Sequence, residues 1–245
     1  MSQLRQRQRT GANGGLASGS TRPFTSSNTL VYGPYALACV ANMGFLSQGI
    51  KSISEPLKLV LMPLLALAVL VDGKHLTGTP KRYLLSALFF SWVGDNAAVL
   101  LPFLPYVPAM LLTFGIAHVA YIPLFLTHAS VRPSTPAWAG VYLLWWAGML
   151  AYVGPHAGAL FTGIAAYGVL LGGTSACSSR CSATVIAGAI FFLTSDTLLA
   201  FRLFMGDLIP AWTAWIIMGT YEVGQGLIAA GVLGTTRQRR RRGCN

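Results

Sequence analysis

Acidic residues are the scarcest chemistry in this chain. Six aspartates and glutamates occur among 245 residues, and charged residues of both signs amount to only 9%, against roughly a quarter in ordinary soluble domains. That scarcity excludes a water-soluble globular domain. Signatures of several enzyme classes are also missing: there is no Gly-x-Ser-x-Gly nucleophile elbow, no phosphate-binding glycine loop and no His-Glu-x-x-His zinc motif. Cysteine is sparse, at four residues. Cys39 falls in an apolar run, Cys177 and Cys181 flank a short loop and Cys244 lies in the C-terminal tail. No disulfide framework is expected from them, and a Cys-x-x-x-Cys pair without a neighbouring histidine is a poor zinc site. The terminal Arg-Gly-Cys-Asn is not a prenylation box. The chain opens without an apolar stretch, so no classical signal peptide is expected.

What is present is apolar length. Hydrophobic residues make up 54% of the chain, in runs that lack the alternation of a membrane β-barrel. At roughly 20 residues per crossing, the sequence after a polar start accommodates an all-α polytopic integral membrane bundle of about eight transmembrane helices. The expected spans are residues 30–46, 56–71, 82–101, 107–127, 137–153, 157–172, 183–205 and 211–233. They give three regions: a disordered basic tail over 1–28, an eight-helix domain over 29–234 and a basic tail over 235–245.

The net charge of +11 and the run Arg239–Arg242 invite a nucleic-acid reading. Basic residues that flank spans are better explained as topology signals and contacts to anionic lipid headgroups, so membrane lipids and no nucleic acid are the expected partners. With both termini cytoplasmic, 14 of the 17 lysines and arginines fall on the inner side, as the positive-inside rule requires. The exceptions are Lys51, Lys58 and Arg202 at the outer ends of their helices. They either snorkel to the outer headgroups or recognise an anionic group.

Carboxylates inside such spans are expensive and are functional candidates by default. Asp95 interrupts Ala87–Leu101, and Asp196 interrupts a similar stretch, Ala189–Phe201. Each lies 13 residues beyond the inner end of an ascending span, about 20 Å up at 1.5 Å per residue. The two acids therefore stand at similar depth. Descending spans carry His118 and Tyr121 on one face, and Tyr221 with Gln225 on another, beside Glu222. Aligning Phe90–Asp95 with Phe191–Asp196 pairs Gly94 with Ser195 and Asn96 with Thr197, the pattern of a parallel internal repeat. Two acids in one poorly solvated cavity do not both ionise readily, so one protonated and one ionised carboxyl are expected near neutrality. That is the division of labour used on acid-labile C–O bonds. His118 is a proton shuttle, a metal ligand or an interhelical hydrogen-bonding residue. Glu222 has no basic partner on its own helix and is expected to point inward. The tryptophans Trp138, Trp145, Trp146, Trp212 and Trp215 read as interface anchors and helix packing, so no cofactor is expected.

These residues sit in short signatures: Lys58-Leu-Val-Leu-Met-Pro-Leu-Leu-Ala66, Phe90 to Asp95 ending in Gly-Asp, Gly115-Ile-Ala-His118 with Tyr121, Phe192-Leu-Thr-Ser-Asp196 with Ala200, and Thr220-Tyr-Glu-Val-Gly-Gln225. In order and spacing they resemble the YhhN-like membrane proteins, whose characterised animal members are lysoplasmalogenases. Leu59 departs from the family's usual proline, and the first 28 residues lie outside the resemblance. The resemblance implies an eight-helix enzyme that hydrolyses the vinyl-ether bond of a lysophospholipid; a bacterial plasma membrane is the expected location, and no metal site is expected from the residues. Asp95 and Asp196 would be the acid/base pair, with His118, Tyr121, Tyr221, Glu222 and Gln225 positioning water and substrate. Lys58 and Arg202 would hold the phosphate. Two rival readings remain open: a proton-coupled lipid or small-molecule transporter using the same acids, and a lipid-binding scaffold without catalysis.

Overall fold

Inside a bilayer every backbone N–H and C=O needs an intramolecular partner, and apolar runs without alternation meet that need as helices. The computed structural model, which describes residues 29–206 and 209–243, contains helices and no strand among the described residues. In chain order these are α1 (Gly33–Ser47), α2 (Lys51–Asp72), α3 (Thr79–Asp95), α4 (Ala97–Leu100), α5 (Tyr106–Pro123), α6 (Val141–Val153), α7 (Phe161–Ser178), α8 (Ala183–Phe204) and α9 (Ala214–Gly243). A π-helical turn, Leu124–His128, prolongs α5 beyond Pro123, and 3-10 turns extend α6 at both ends. Among the described residues, seven helical stretches are long and apolar enough to cross a membrane; α3, at 17 residues, is the one long helix there left out. The chain is an all-α polytopic membrane bundle. The expected tail over 1–28 lies outside the described residues.

The long helices form a ring. α1, α2, α3, α5, α7, α8 and α9 each pack on the next, α9 closes back onto α1 and α2, and α6 lies outside against α7. Residues of α1, α2, α6 and α8 that face away from the ring, such as Leu37, Leu67, Leu144 and Ile190, stay exposed as a lipid-facing surface.

Two features correct the expected spans. The third is not continuous over 82–101: α3 stops at Asp95, and α4 resumes as a single turn after Asn96. The Asn96 side chain donates to the Trp92 carbonyl at 2.8 Å, and its own backbone N–H reaches the same carbonyl at 3.2 Å. Such local side-chain bonding competes with helix continuation, so Asp95 closes a helix instead of interrupting one. The second correction is at the C-terminus, where residues 235–243 continue α9. Arg237 there pairs with Asp72 at the end of α2 at 2.7 Å, and the Arg239 guanidinium donates to the carbonyls of His128 and Ser130.

Prolines and glycines set the spacing around the site. Pro63 has no N–H for the carbonyl of Leu59, one turn earlier; the Trp92 indole N–H takes that carbonyl at 2.9 Å, fixing α3 to α2 one turn before Asp95. α8 and α9 meet through Gly188 and Gly224, where an added Cβ would stand 2.8 and 2.9 Å from backbone oxygens of the opposite helix. Small residues let helix backbones approach this closely in membranes. The Ser195 hydroxyl adds a bond across the same seam to the Ile217 carbonyl, at 2.8 Å.

Gly224→Ala should therefore force α8 and α9 apart, with a loss of about 1–3 kcal/mol of stability typical of overpacking. Gly234→Ala, where nothing lies within 4 Å of the added carbon, should leave stability unchanged. Thermal unfolding of the two variants in one detergent checks the contrast.

Candidate functional site

Asp95 reaches the interior because α3 ends on it. Its Oδ2 accepts a hydrogen bond from the Tyr221 hydroxyl of α9 at 2.7 Å. Gly94, just before it, lies against Phe114 and Thr113 of α5, where an added Cβ would come within 2.6 Å of the Phe114 ring. The glycine lets α3 approach α5 closely enough to bring Asp95 over the α5 and α9 faces. Tyr221 is held upright by edge-on contacts with Phe114 and Phe192, with ring centroids 5.9 and 5.4 Å away.

Asp196 is served from a different helix. Its Oδ2 accepts from the Tyr167 hydroxyl of α7, and the Tyr167 oxygen lies 3.3 Å from Nε2 of His118. With the Tyr167 hydroxyl donating to the carboxyl, its oxygen is free to accept from the Nε2–H tautomer of His118. Nδ1 of His118 is buried without a partner. His118 is only 1% exposed and packs against Phe192 and Tyr167. It stands behind Tyr167 and positions Asp196 through it.

A third set of bonds runs beside the acids. The Tyr121 hydroxyl donates to Oε1 of Gln225 at 2.5 Å, and Nε2 of Gln225 donates to the Ser91 hydroxyl at 3.0 Å. Ser91 sits one turn before Asp95, and Gln225 one turn after Tyr221. Tyr121, Gln225 and Ser91 are all fully buried. They bind α3, α5 and α9 into one register.

Both carboxylates border one cavity of about 260 Å3, with Tyr221, Tyr106, Glu55, Lys58, Lys51 and Arg202 also on its wall. The aspartates remain partly accessible through it. Asp196 borders a second space too, an apolar cleft of about 60 Å3 between α5, α6, α7 and α8. Trp145 and Trp146 form one wall of that cleft. Trp145 also donates to the Thr197 hydroxyl at 3.1 Å, next to Asp196, and Trp146 to the Ala165 carbonyl at 3.1 Å. Asp196 thus stands where a cavity rich in charged groups meets an apolar cleft.

Lys58 and Arg202 reach the cavity of the two acids, but Lys58 does so already paired with Glu55, at 3.2 Å on the same helix. Glu222 is not at this cavity, a correction to its expected place. It follows Tyr221 on α9 and so points about 100° away around the helix, toward α1. There Asn42 donates to its Oε1 at 2.6 Å, and the Tyr35 hydroxyl donates to its backbone carbonyl at 2.6 Å. Glu222 is 0% exposed and borders a separate, largely apolar groove of about 430 Å3 with Tyr35, Cys39 and Met43.

Tyr167, Ser91, Glu55 and Tyr106 were not among the residues expected from the sequence. Tyr167 carried a signal: it is a phenol set between Ala165, Ala166 and Gly168, small residues that mark a close helix approach. Gly168 indeed lies against Trp146, 2.8 Å from where its Cβ would be. Ser91 and Glu55 carried none, since a serine or an i, i+3 ion pair on an amphipathic helix end is ordinary.

Comparison with known proteins adds one finding. No curated protein and no solved structure matches the chain significantly. The family model described as "YhhN family" matches residues 55–232, a range that begins at Glu55 and contains both aspartates, Tyr167, His118, Tyr121, Tyr221 and Gln225. With well over half of the chain matched across the helices that build the site, this protein belongs to the YhhN family.

Proposed function

We propose that the chain is a membrane-embedded hydrolase that cleaves the vinyl-ether bond of a lysoplasmalogen to a fatty aldehyde and a glycerophospho-headgroup. The reading agrees with membership of the YhhN family. The observation that carries it is the position of Asp196 at the junction of two unlike spaces, opposite Asp95 on a shared cavity. A lysolipid is itself such a junction: the phosphate suits the end with Lys58 and Arg202, the enol-ether carbons then lie beside the carboxyls, and the first carbons of the aliphatic chain meet the apolar cleft, with the rest running out toward the bilayer.

The chemistry needs two carboxyl groups and a water. One carboxyl, protonated, delivers its proton to the β-carbon of the vinyl ether, breaking the C=C π bond and leaving an oxocarbenium ion. The second, ionised, stabilises that cation and takes a proton from the attacking water. The resulting hemiacetal collapses to the aldehyde and the free glycerol hydroxyl, consuming one water overall. Tyr221 and Tyr167 each donate to one oxygen of a carboxyl, which fixes its rotamer and leaves Oδ1 outside those bonds. His118 holds Tyr167, and Tyr121 with Gln225 holds the α9 register. In the same reading the bundle sits in a plasma membrane with the arginine-rich end cytoplasmic, so that Lys58 and Arg202 meet the outer leaflet.

The test is release of fatty aldehyde from an alkenyl lysophosphatidylethanolamine by the full chain in detergent. Asp95→Asn and Asp196→Asn should each lower kcat by about two orders of magnitude or more, as loss of a general acid or base does. If either folded variant keeps wild-type turnover, the two-carboxyl mechanism is wrong, and wild type without any aldehyde release removes the activity itself. Tyr167→Phe should lower kcat about tenfold with KM unchanged, because it acts on the carboxyl and not on binding. Lys58→Gln should instead raise KM several-fold with kcat nearly constant, the signature of a lost binding contact.

Glu222→Gln retains the oxygen that accepts from Asn42, and Glu222 does not border the cavity of the two acids. Its kcat should stay within about twofold of wild type. A loss comparable to that of the aspartates would return Glu222 to the reacting centre.

A further inference from the structure

The end of the bundle away from Asp95 carries a second polar cavity. It encloses about 350 Å3 and is bordered by Ser130, Arg132, Arg180, Thr235, Arg239 and Arg242, with no carboxylate on its wall. Its volume lies within the ~300–1,000 Å3 range of small-molecule sites. Cations that merely flank spans as topology signals need no common cavity and no fixed geometry. Three of these four have both.

Arg132 donates through Nη1 to the Ser179 carbonyl at 2.7 Å, and Arg180 donates through Nη2 to the Pro133 carbonyl at 2.8 Å. Between them the backbone N–H groups of Val131 and Arg132 share the Arg180 carbonyl, at 2.7 and 3.0 Å. Arg239, from the last turns of α9, donates to the carbonyls of His128 and Ser130. Two loops and a helix end are thus laced together by guanidinium groups whose partners are neutral carbonyls. Among the described residues none of the four arginines forms an ion pair. The positive charge of Arg132, Arg180 and Arg239 is thus held in place by neutral partners.

The cation type and the depth identify the ligand. All four are arginines, whose planar forks bind phosphate oxygens in pairs, whereas Lys74 and Lys81 lie elsewhere on the chain. The candidate spans end at His128 and Ser178, and the next begins at Ala183. Ser130, Arg132 and Arg180 lie in the gaps just beyond those ends, at the level of lipid headgroups. We propose that this cavity binds a phosphate-bearing anion, supplied by the headgroup of an anionic lipid of the adjoining leaflet. The site is independent of the proposed hydrolysis, since it shares no residue with the cavity of Asp95 and Asp196.

The test offers the full chain mixed micelles of phosphatidylcholine and phosphatidylglycerol in equal amounts and counts retained lipids by native mass spectrometry. Phosphatidylglycerol should be retained over phosphatidylcholine by on the order of tenfold, and less at high salt. Arg242 makes none of the loop-lacing bonds, so Arg242→Gln should fold normally yet reduce the preference about fivefold, while Arg242→Lys restores part of it. A parallel calorimetric titration with inorganic phosphate separates the sources. Arginine-dependent binding of free phosphate without lipid preference would overturn the headgroup assignment. An absence of preference, or a preference equal in wild type, Arg242→Gln and Arg132→Gln/Arg242→Gln, would overturn the site.

Discussion

A carboxyl group at membrane depth meets little water, so the protein itself must supply hydrogen-bond donors. Asp95 takes its donor from Tyr221 on α9 and Asp196 takes its donor from Tyr167 on α7, in each case a helix other than its own. Much of the bundle serves that requirement. The α8–α9 glycine contact, the Gly94 approach to α5 and the Trp92 bond to the carbonyl released by Pro63 all fix distances between the helices that carry acids and those that carry donors. A deeply buried acid without such a partner costs several kcal/mol, so these contacts stabilise the fold and shape the site together.

The same constraint distributes three polar systems around the ring. The aspartates face a shared cavity whose wall also bears Lys58 and Arg202. Glu222 faces α1, with Asn42 as its donor. The arginines of the opposite end face loop carbonyls and no acid. Guanidinium groups with no acidic partner among the described residues thus gather at the end away from Asp95, where Asp72 is paired with Arg237.

The sequence made the all-helical membrane architecture legible because apolar length and scarce charge leave few alternatives in a bilayer. Counting rise per residue along the helices led to an expectation of similar depth for Asp95 and Asp196, and the two border one cavity. Rotation about the helix axis was harder. Glu222 was expected at the interior, but a ring of helices has several interiors, and only the neighbours of α9 decide that Tyr221 turns to α3 while Glu222 turns to α1. The break after Asp95 was hidden as well, because Asn96 ends the helix through a bond to its own chain that composition does not reveal. Tyr167 lay in an apolar run with no charge to draw attention to it.

The central claim is that Asp95 and Asp196 act as one unit on one bond. Groups that act as a unit are strongly non-additive when removed together. Rates of aldehyde release from Asp95→Asn, Asp196→Asn and the double variant, all shown to be folded, test this most directly. The double variant should be no slower than the slower of the two single variants. If the two losses instead multiply, the carboxyls work at separate steps or sites, and the shared-cavity mechanism is contradicted.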